Sequence, residues 1–282
     1  MSDDDATTDL EAAFAAARTA LEQADALVVC AGAGMGVDSG LPDFRGDEGF
    51  WNAYPPFKAL GLRFAELANP RWFEREPSLA WGFYGHRLQL YRDTAPHDGF
   101  RMLREFGARL PNGMFAFTSN VDGHFQRAGV PADRVCEIHG SIHHLQCTRA
   151  SCRAAIRSAD EVVLHVDPST IRALPPFPTC ACGTIERPNI LMFGDGEWRS
   201  DRTDEQEATL SGWLQKARGK RIVVVELGAG VAVPTVRAFS EALTRRYGAT
   251  LVRINPREPL GPPGTISIAS GALAALRRIL PQ

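Results

Sequence analysis

Four cysteines fall in two close pairs, Cys147-x4-Cys152 and Cys180-x-Cys182. Four thiolates suit tetrahedral Zn2+ at Zn–S distances of about 2.3 Å, and such a set leaves no open position, so the expected role is structural. The second pair is one residue shorter than the usual Cys-x-x-Cys and must reach the ion from a tight Cys180-Ala181-Cys182 turn. Four reduced thiols without metal, or a site completed by His143, His144 or His165, are the alternatives. Cys30 and Cys136 sit in apolar runs and read as buried hydrophobes. A second chemical feature is Gly32-Ala33-Gly34-Met35-Gly36, where glycines let backbone N–H groups approach a phosphate or dinucleotide. Val37 occupies the third glycine position of G-x-G-x-x-G, and no acidic strand end follows about twenty residues later, which disfavours a hydride-transfer enzyme.

The elements that must position these residues are legible as apolar runs. Ala26 to Cys30 reads as a buried parallel strand entering the glycine loop. Runs of the same kind are Met114 to Thr118, Arg134 to Ile138, Ile190 to Phe193, Ile222 to Leu227, Thr250 to Ile254 and Thr265 to Ile268. Thr8-Asp9-Leu10-Glu11 matches a capping box, and Leu10, Phe14, Ala17 and Leu21 recur at helical spacing, predicting a first helix to about Ala24. Helices are also predicted over Ala232 to Arg246 and from Ser270 through Leu280, and His97 reads as a capping or core histidine. Alternating strands and helices imply an α/β fold, a doubly wound parallel-sheet Rossmann-like domain with a smaller zinc-binding and helical subdomain inserted. The expected division is a disordered tail at 1–9, the Rossmann-like dinucleotide domain at 10–49, 105–140 and 189–282, a helical insertion at 50–104 and a zinc-binding module at 141–188.

Composition narrows the function classes. The 282 residues are 44% hydrophobic and 23% charged, as in an ordinary folded enzyme. Thirty-one Lys and Arg against 33 Asp and Glu give a net charge of −2, which carries no footprint for nucleic acid or an anionic membrane. Apolar runs are too short to span a bilayer, and an acidic, polar start is no signal peptide, so a cytoplasmic, reducing setting is expected.

The glycine loop continues as Val37-Asp38-Ser39-Gly40-Leu41-Pro42-Asp43-Phe44-Arg45, and here the sequence resembles the sirtuin family, which carries G-A-G-x-S-x-x-S-G-I-P-D-F-R. Thr118-Ser119-Asn120-Val121-Asp122 is similar to the family's T-Q-N-I-D, and His139-Gly140 to its catalytic His-Gly. Arg187 to Asp195 resembles R-P-x-V-V-x-F-G-E, Gly228-Ala229-Gly230 stands where the family has G-T-S, and Asn255 follows Ile254 where a strand end meets the adenosine ribose.

The resemblance implies an NAD-dependent lysine deacylase that releases nicotinamide and carries the acyl group onto ADP-ribose. Such a site must exclude water, hold nicotinamide out of conjugation and supply one base for a ribose hydroxyl. His139 is the expected base, because neutral imidazole is abundant at pH 7. Asn120 and Asp122, two apart at a strand end, face the same way and suit a carboxamide and an ordered water, although Asn-x-Asp also builds ordinary Asx-turns. By resemblance, Asp122 and the backbone near Val121 bind nicotinamide, Asn120 orients the reacting ribose, and Phe44 shields its charged centre, with Asp43 and Arg45 ordering the loop. Gly32, Ala33, Gly34, Gly36, Ser119, Gly228, Ala229, Gly230 and Asn255 complete the expected NAD contacts. Asn189, Ile190, Leu191, Met192 and Phe193 would pair with an acylated lysine peptide as an added strand, or serve as a core strand. Phe50, Trp51 and Tyr54 are candidates for the acyl pocket or a lid.

Three departures stand out: Gly36 and Gly230 replace Ser, and Ser119 replaces Gln. Each lost hydrogen bond would cost about 0.5–1.5 kcal/mol, so weaker or differently seated NAD is expected before lost chemistry. NAD hydrolysis or ADP-ribosyl transfer, and a non-catalytic NAD or ADP-ribose binding module, are the competing readings. The acyl group, the target protein and the oligomeric state stay open.

Overall fold

The computed structural model describes residues 3–43 and 46–281. Its strands, in chain order, are β1 (Ala26–Ala31), β2 (Met114–Thr118), β3 (Val135–Glu137), β4 (Gly140–Cys147), β5 (Arg157–Ser158), β6 (His165–Asp167), β7 (Arg172–Leu174), β8 (Glu186–Ile190), β9 (Ile222–Leu227), β10 (Thr250–Ile254) and β11 (Ile266–Ile268). Among the described residues six of these form one parallel sheet in the order β11-β10-β9-β1-β2-β3. Taken in chain order this is the 3-2-1-4-5-6 arrangement of a doubly wound dinucleotide fold, with its switch point between β1 and β9. Every residue of β1, β2 and β9 is buried, as continuous apolar runs require when helices cover both faces.

Strand alternation sorts the core into two layers. Leu27, Val29 and Ala31 pack with Phe14, Leu103 and Leu276 on one face, while Val28 and Cys30 pack with Leu210, Trp213 and Val236 on the other. The first helix, Asp3–Glu22, starts earlier than the capping box predicted, so residues 3–9 extend a helix instead of forming a tail. Once the stripe of Phe14, Ala17 and Leu21 is buried, each further helical residue adds a backbone bond at little cost.

A third apolar cluster lies outside the main sheet. Phe50, Tyr54, Phe57, Trp81 and Phe83 of the helical insertion pack there with Ile142, Leu145, Ile171 and Ile190 of the cysteine-bearing segment. The two insertions therefore share one core. Helix Asp98–Arg109 is not part of it, because Phe100, Leu103 and Phe106 pack on the main sheet. His97 caps that helix, accepting from Gly99 N at 3.0 Å. The predicted parallel strand over Ile190 to Phe193 is instead β8, which ends at Ile190 and runs antiparallel to β4 in a smaller sheet of order β5-β4-β8. Pro188 is tolerated there because β8 is an edge strand. No helix among the described residues is long and apolar enough to cross a membrane.

Candidate functional site

The register of the parallel sheet gathers residues that are far apart in sequence. Ala31 lies opposite Thr118 and Leu227, Thr118 opposite Glu137, and Leu227 opposite Ile254. These four pairings put the carboxyl ends of five strands in one row, so the residues that follow them emerge side by side. They are Gly32, Ser119 and Asn120, His139, Gly228 and Ala229, and Asn255.

The two glycine loops meet at the switch point. Gly32 N donates to Leu227 O and Gly34 N to Gly228 O, both at 3.0 Å. A Cβ on Gly32 would lie 2.8 Å from Gly228 O, and one on Gly228, whose φ is +61°, would lie 2.4 Å from the Gly34 backbone. Only glycine permits this approach. Asn120 spans from the neighbouring strand, its Nδ2 donating to Gly32 O at 3.0 Å and its N to Thr118 Oγ1 at 3.0 Å. Asn255 is fully buried; its Nδ2 donates to Ala229 O, and its Oδ1 accepts from Arg257 N and Glu258 N. Arg257 in turn reaches Asp43 at 3.3 Å, tying the end of β10 to the first loop. Phe44 and Arg45 lie outside the described residues.

The departures have different surroundings. A Cβ on Gly36 would press on the Leu41 side chain at 3.3 Å, so Leu41 fills the space that a serine would need. At Gly230 the nearest atom to such a Cβ is Glu258 Oε2 at 3.7 Å, and that carboxylate also accepts from Val231 N at 3.2 Å. Here the missing side chain is not a steric requirement.

His139 follows β3 and its Nε2 lies 3.3 Å from Thr235 Oγ1. Burial lowers its pKa below the ordinary histidine value, so the ring is neutral at pH 7 and able to accept a proton. Gly140, at φ +78°, turns the chain into β4, and a Cβ there would lie 2.0 Å from Asn189 O. Asp122 is buried; its Oδ1 accepts from His124 N at 2.9 Å, and burial raises its carboxyl pKa against that hydrogen bond. His143, the near neighbour of His139 in sequence, is held elsewhere, with Nε2 2.9 Å from Asp122 O. His124, which the sequence reading did not single out, is fully buried and stacks edge-on against Phe100.

The segment proposed for peptide pairing divides in two. Asn189 and Ile190 are buried in β8, and Asn189 Nδ2 donates to Gln146 Oε1 and Arg199 O, which makes it a fixture of the fold. Leu191 N donates to His139 O, and Leu191 and Phe193 are exposed around the buried Met192. A buried bidentate pair, Arg187 with Asp195 at 2.8 Å, holds this turn, since Asp195 Oδ2 also accepts from Met192 N. Phe50 is fully buried among Tyr54, Phe57 and Phe83, so it belongs to the second core and not to a lid. Trp51 donates to Leu62 O. Tyr54 also borders a cavity of about 490 Å³ with Leu41, Pro42, His86 and Leu90.

The cysteine quartet closes on itself. Cys147 Sγ lies 3.6 Å from Cys182 Sγ and Cys152 Sγ 3.7 Å from Cys180 Sγ, and all four sulfurs fall within 4.8 Å of one another. Tetrahedral zinc with Zn–S bonds of about 2.3 Å requires sulfurs about 3.8 Å apart, so these four thiols fit that ion without a histidine. The short Cys180-Ala181-Cys182 spacing is met by a turn in which Gly183 N donates to Cys180 O.

Comparison with known proteins agrees with this geometry. The model of the Sir2 family matches residues 32–209. An NAD-dependent protein deacylase of Aquifex aeolicus is 31% identical over 234 residues, covering 82% of this chain and 84% of the relative. NAD-dependent protein deacylase 1 of Caldanaerobacter subterraneus is 31% identical over 255 residues, covering 90% and 92%. Among solved structures, a Sir2 homologue in complex with NAD superposes with a TM-score of 0.70 at 26% identity, covering 94% of this chain and 91% of the other.

Proposed function

Because the chain belongs to the Sir2 family, we propose that it removes acyl groups from protein lysines in a reaction that consumes NAD. The observation that carries this reading is the convergence of His139, Asn120 and both glycine loops on one end of the parallel sheet. When bound, NAD supplies nicotinamide as the leaving group and ADP-ribose as the acyl acceptor.

The chain's own residues divide the remaining work. The Gly32–Gly36 and Gly228–Gly230 loops present backbone N–H groups at the switch point, where a pyrophosphate is held. Asn255, locked by three hydrogen bonds, fixes the strand end that would face the adenosine ribose. Asn120 orients the reacting ribose, and Asp122 with Val121 holds the nicotinamide carboxamide. His139 Nε2, neutral at pH 7, takes the proton of a ribose hydroxyl, and Thr235 Oγ1 lies within reach to orient the ring. Leu191, bonded to His139 O, and the exposed Phe193 two residues on belong to the segment that would give the peptide backbone its edge. Four thiolates on zinc hold the insertion that carries β4 and β8, and they imply a reducing compartment.

The same reading assigns the dinucleotide domain to 10–49, 105–140 and 189–282, and the inserted domain to 50–104 with 141–188. The separate clusters of buried residues support this, and the packing of Phe100 to Phe106 moves the boundary to before Asp98. The test is nicotinamide release from NAD with and without a panel of acyl-lysine peptides. Release is expected only with peptide, and His139→Ala should lower acyl removal by about 10²–10⁴-fold. Peptide-independent formation of ADP-ribose would replace this reading with NAD hydrolysis, and stabilisation by NAD without turnover would replace it with a binding module.

A further inference from the structure

The strand that delivers His139 is the last of its sheet, so the outward-facing N–H and C=O of its final residue have no strand to pair with. Ile138 N donates inward to Thr118 O at 2.9 Å, which leaves the Glu137 backbone groups pointing outward. Buried groups of this kind must find partners. They find them on helix Asp201–Lys216, where Gln206 Oε1 accepts from Glu137 N at 3.0 Å and Thr203 Oγ1 donates to Glu137 O at 3.2 Å. The Glu137 carboxylate, itself buried, pairs with Arg202 of the same helix. One residue, two before His139, is thus gripped at its N–H, its C=O and its side chain by three residues of one helix.

The grip is costly as a stability device. Glu137 Oε1 and Arg202 Nη1 are both buried and have no partner among the described residues, and a buried pair with unmet atoms is weak support for stability. Its clearest consequence is positional. The helix is itself pinned at its entry, where Arg199 N donates to Gln146 Oε1 at 3.1 Å, Arg199 O accepts from Asn189 Nδ2, and the Arg199 guanidinium bonds Ala154 O.

We propose that Arg202, Thr203 and Gln206 are positioning residues for the base, setting where His139 stands by clamping Glu137 at the open edge of the sheet. The proposal rests on the deacylase reading above. It separates two measurable reactions: exchange of labelled nicotinamide into NAD in the presence of acyl peptide needs cleavage of the glycosidic bond, whereas acyl removal also needs the base.

The experiment measures both rates, with melting temperature, in wild type, Arg202→Met, Arg202→Lys and the double variant Thr203→Val with Gln206→Met, which leaves the ion pair intact. A displaced base should lower acyl removal by about 10-fold to 100-fold while exchange changes by less than about 3-fold, and Arg202→Lys should recover most of the loss. The double variant should show the same split, and it decides the matter if Arg202→Met does not fold. Equal loss of both rates, or no loss in a folded variant, overturns the proposal. Absence of exchange in wild type would instead overturn the deacylase reading.

Discussion

The cleft at the end of the main sheet and the cysteine module are built by opposite means. In the cleft, strands of three to six residues carry the site, and hydrogen-bonded register brings Gly32, Asn120, His139, Gly228 and Asn255 together. In the module, β5, β6 and β7 have two or three residues each, and much of β5 and β6 is exposed. Strands that short cannot hold themselves. Burial of Ile171 and Ala173 against the helical insertion and the closure of four thiols take over that task. The first region is positioned by its backbone and the second by what it is fastened to.

That contrast is broken most severely at the fastening. Structural zinc sites bind with apparent free energies of about 10–16 kcal/mol, so Cys147→Ser should remove the metal and open the module. Metal content measured by atomic absorption should fall from one per chain to none, and limited proteolysis should cut between 147 and 186 while the parallel sheet keeps its circular dichroism. Retained zinc, or loss of the whole fold, would erase the distinction between the regions.

The backbone side of the comparison is broken next. Gly228→Ala places a Cβ 2.4 Å from the Gly34 backbone at φ +61°, so a destabilisation of about 2–4 kcal/mol is expected, with NAD affinity falling in parallel. Gly230→Ala, whose Cβ would make an ordinary contact with Glu258 Oε2 at 3.7 Å, should stay within about 0.5 kcal/mol of wild type in urea titration. If the two variants behave alike, close approach is not what shapes the cleft.

His124 sharpens the picture through pH. Burial holds its pKa at about 4 against a mild opposing pull from the Thr94 carbonyl, compared with 6.5 when unfolded. Below 6.5 the unfolded chain takes up a proton that the native one refuses, so the contribution present above 6.5 is lost as pH falls toward 4. The loss approaches about 3 kcal/mol. His124→Leu should flatten that part of the stability profile measured by chemical denaturation; an unchanged slope would assign it to other groups. Among the variants that remove an interaction, the smallest effect is expected at Asn255→Ala, about 1–2 kcal/mol in NAD binding by calorimetry, because Ala229 O loses its donor while the strand pairing remains.

Much of this arrangement was legible in the residues. Apolar runs located the six parallel strands because strands buried on both faces carry little else, and the helix around Phe14 and Leu21 declared itself by period. His139, Asn120 and Asp122 follow such runs, but their roles come from resemblance to family motifs, since Asn-x-Asp alone also builds an Asx-turn. β8 was misplaced because Pro188 reads as the boundary of a strand, whereas at an edge a proline loses no ladder bond, and the buried Arg187 before it is neutralised by Asp195. Helix Asp201–Lys216 was passed over as a functional element, since its Arg, Thr and Gln look like any solvated face until β3 is laid against it.

By itself, then, the sequence determined the parallel sheet, the glycine loops that must approach closely, the place of His139 after a strand and the four thiols, because backbone conformation and ligand chemistry depend on residue type and short spacing. Only the tertiary structure decided that both insertions share a core, that β8 runs antiparallel to β4, and that a distant helix grips the strand bearing His139. Those outcomes depend on which surfaces and unpaired edge groups meet after the chain has closed, and no local window of residues contains both partners.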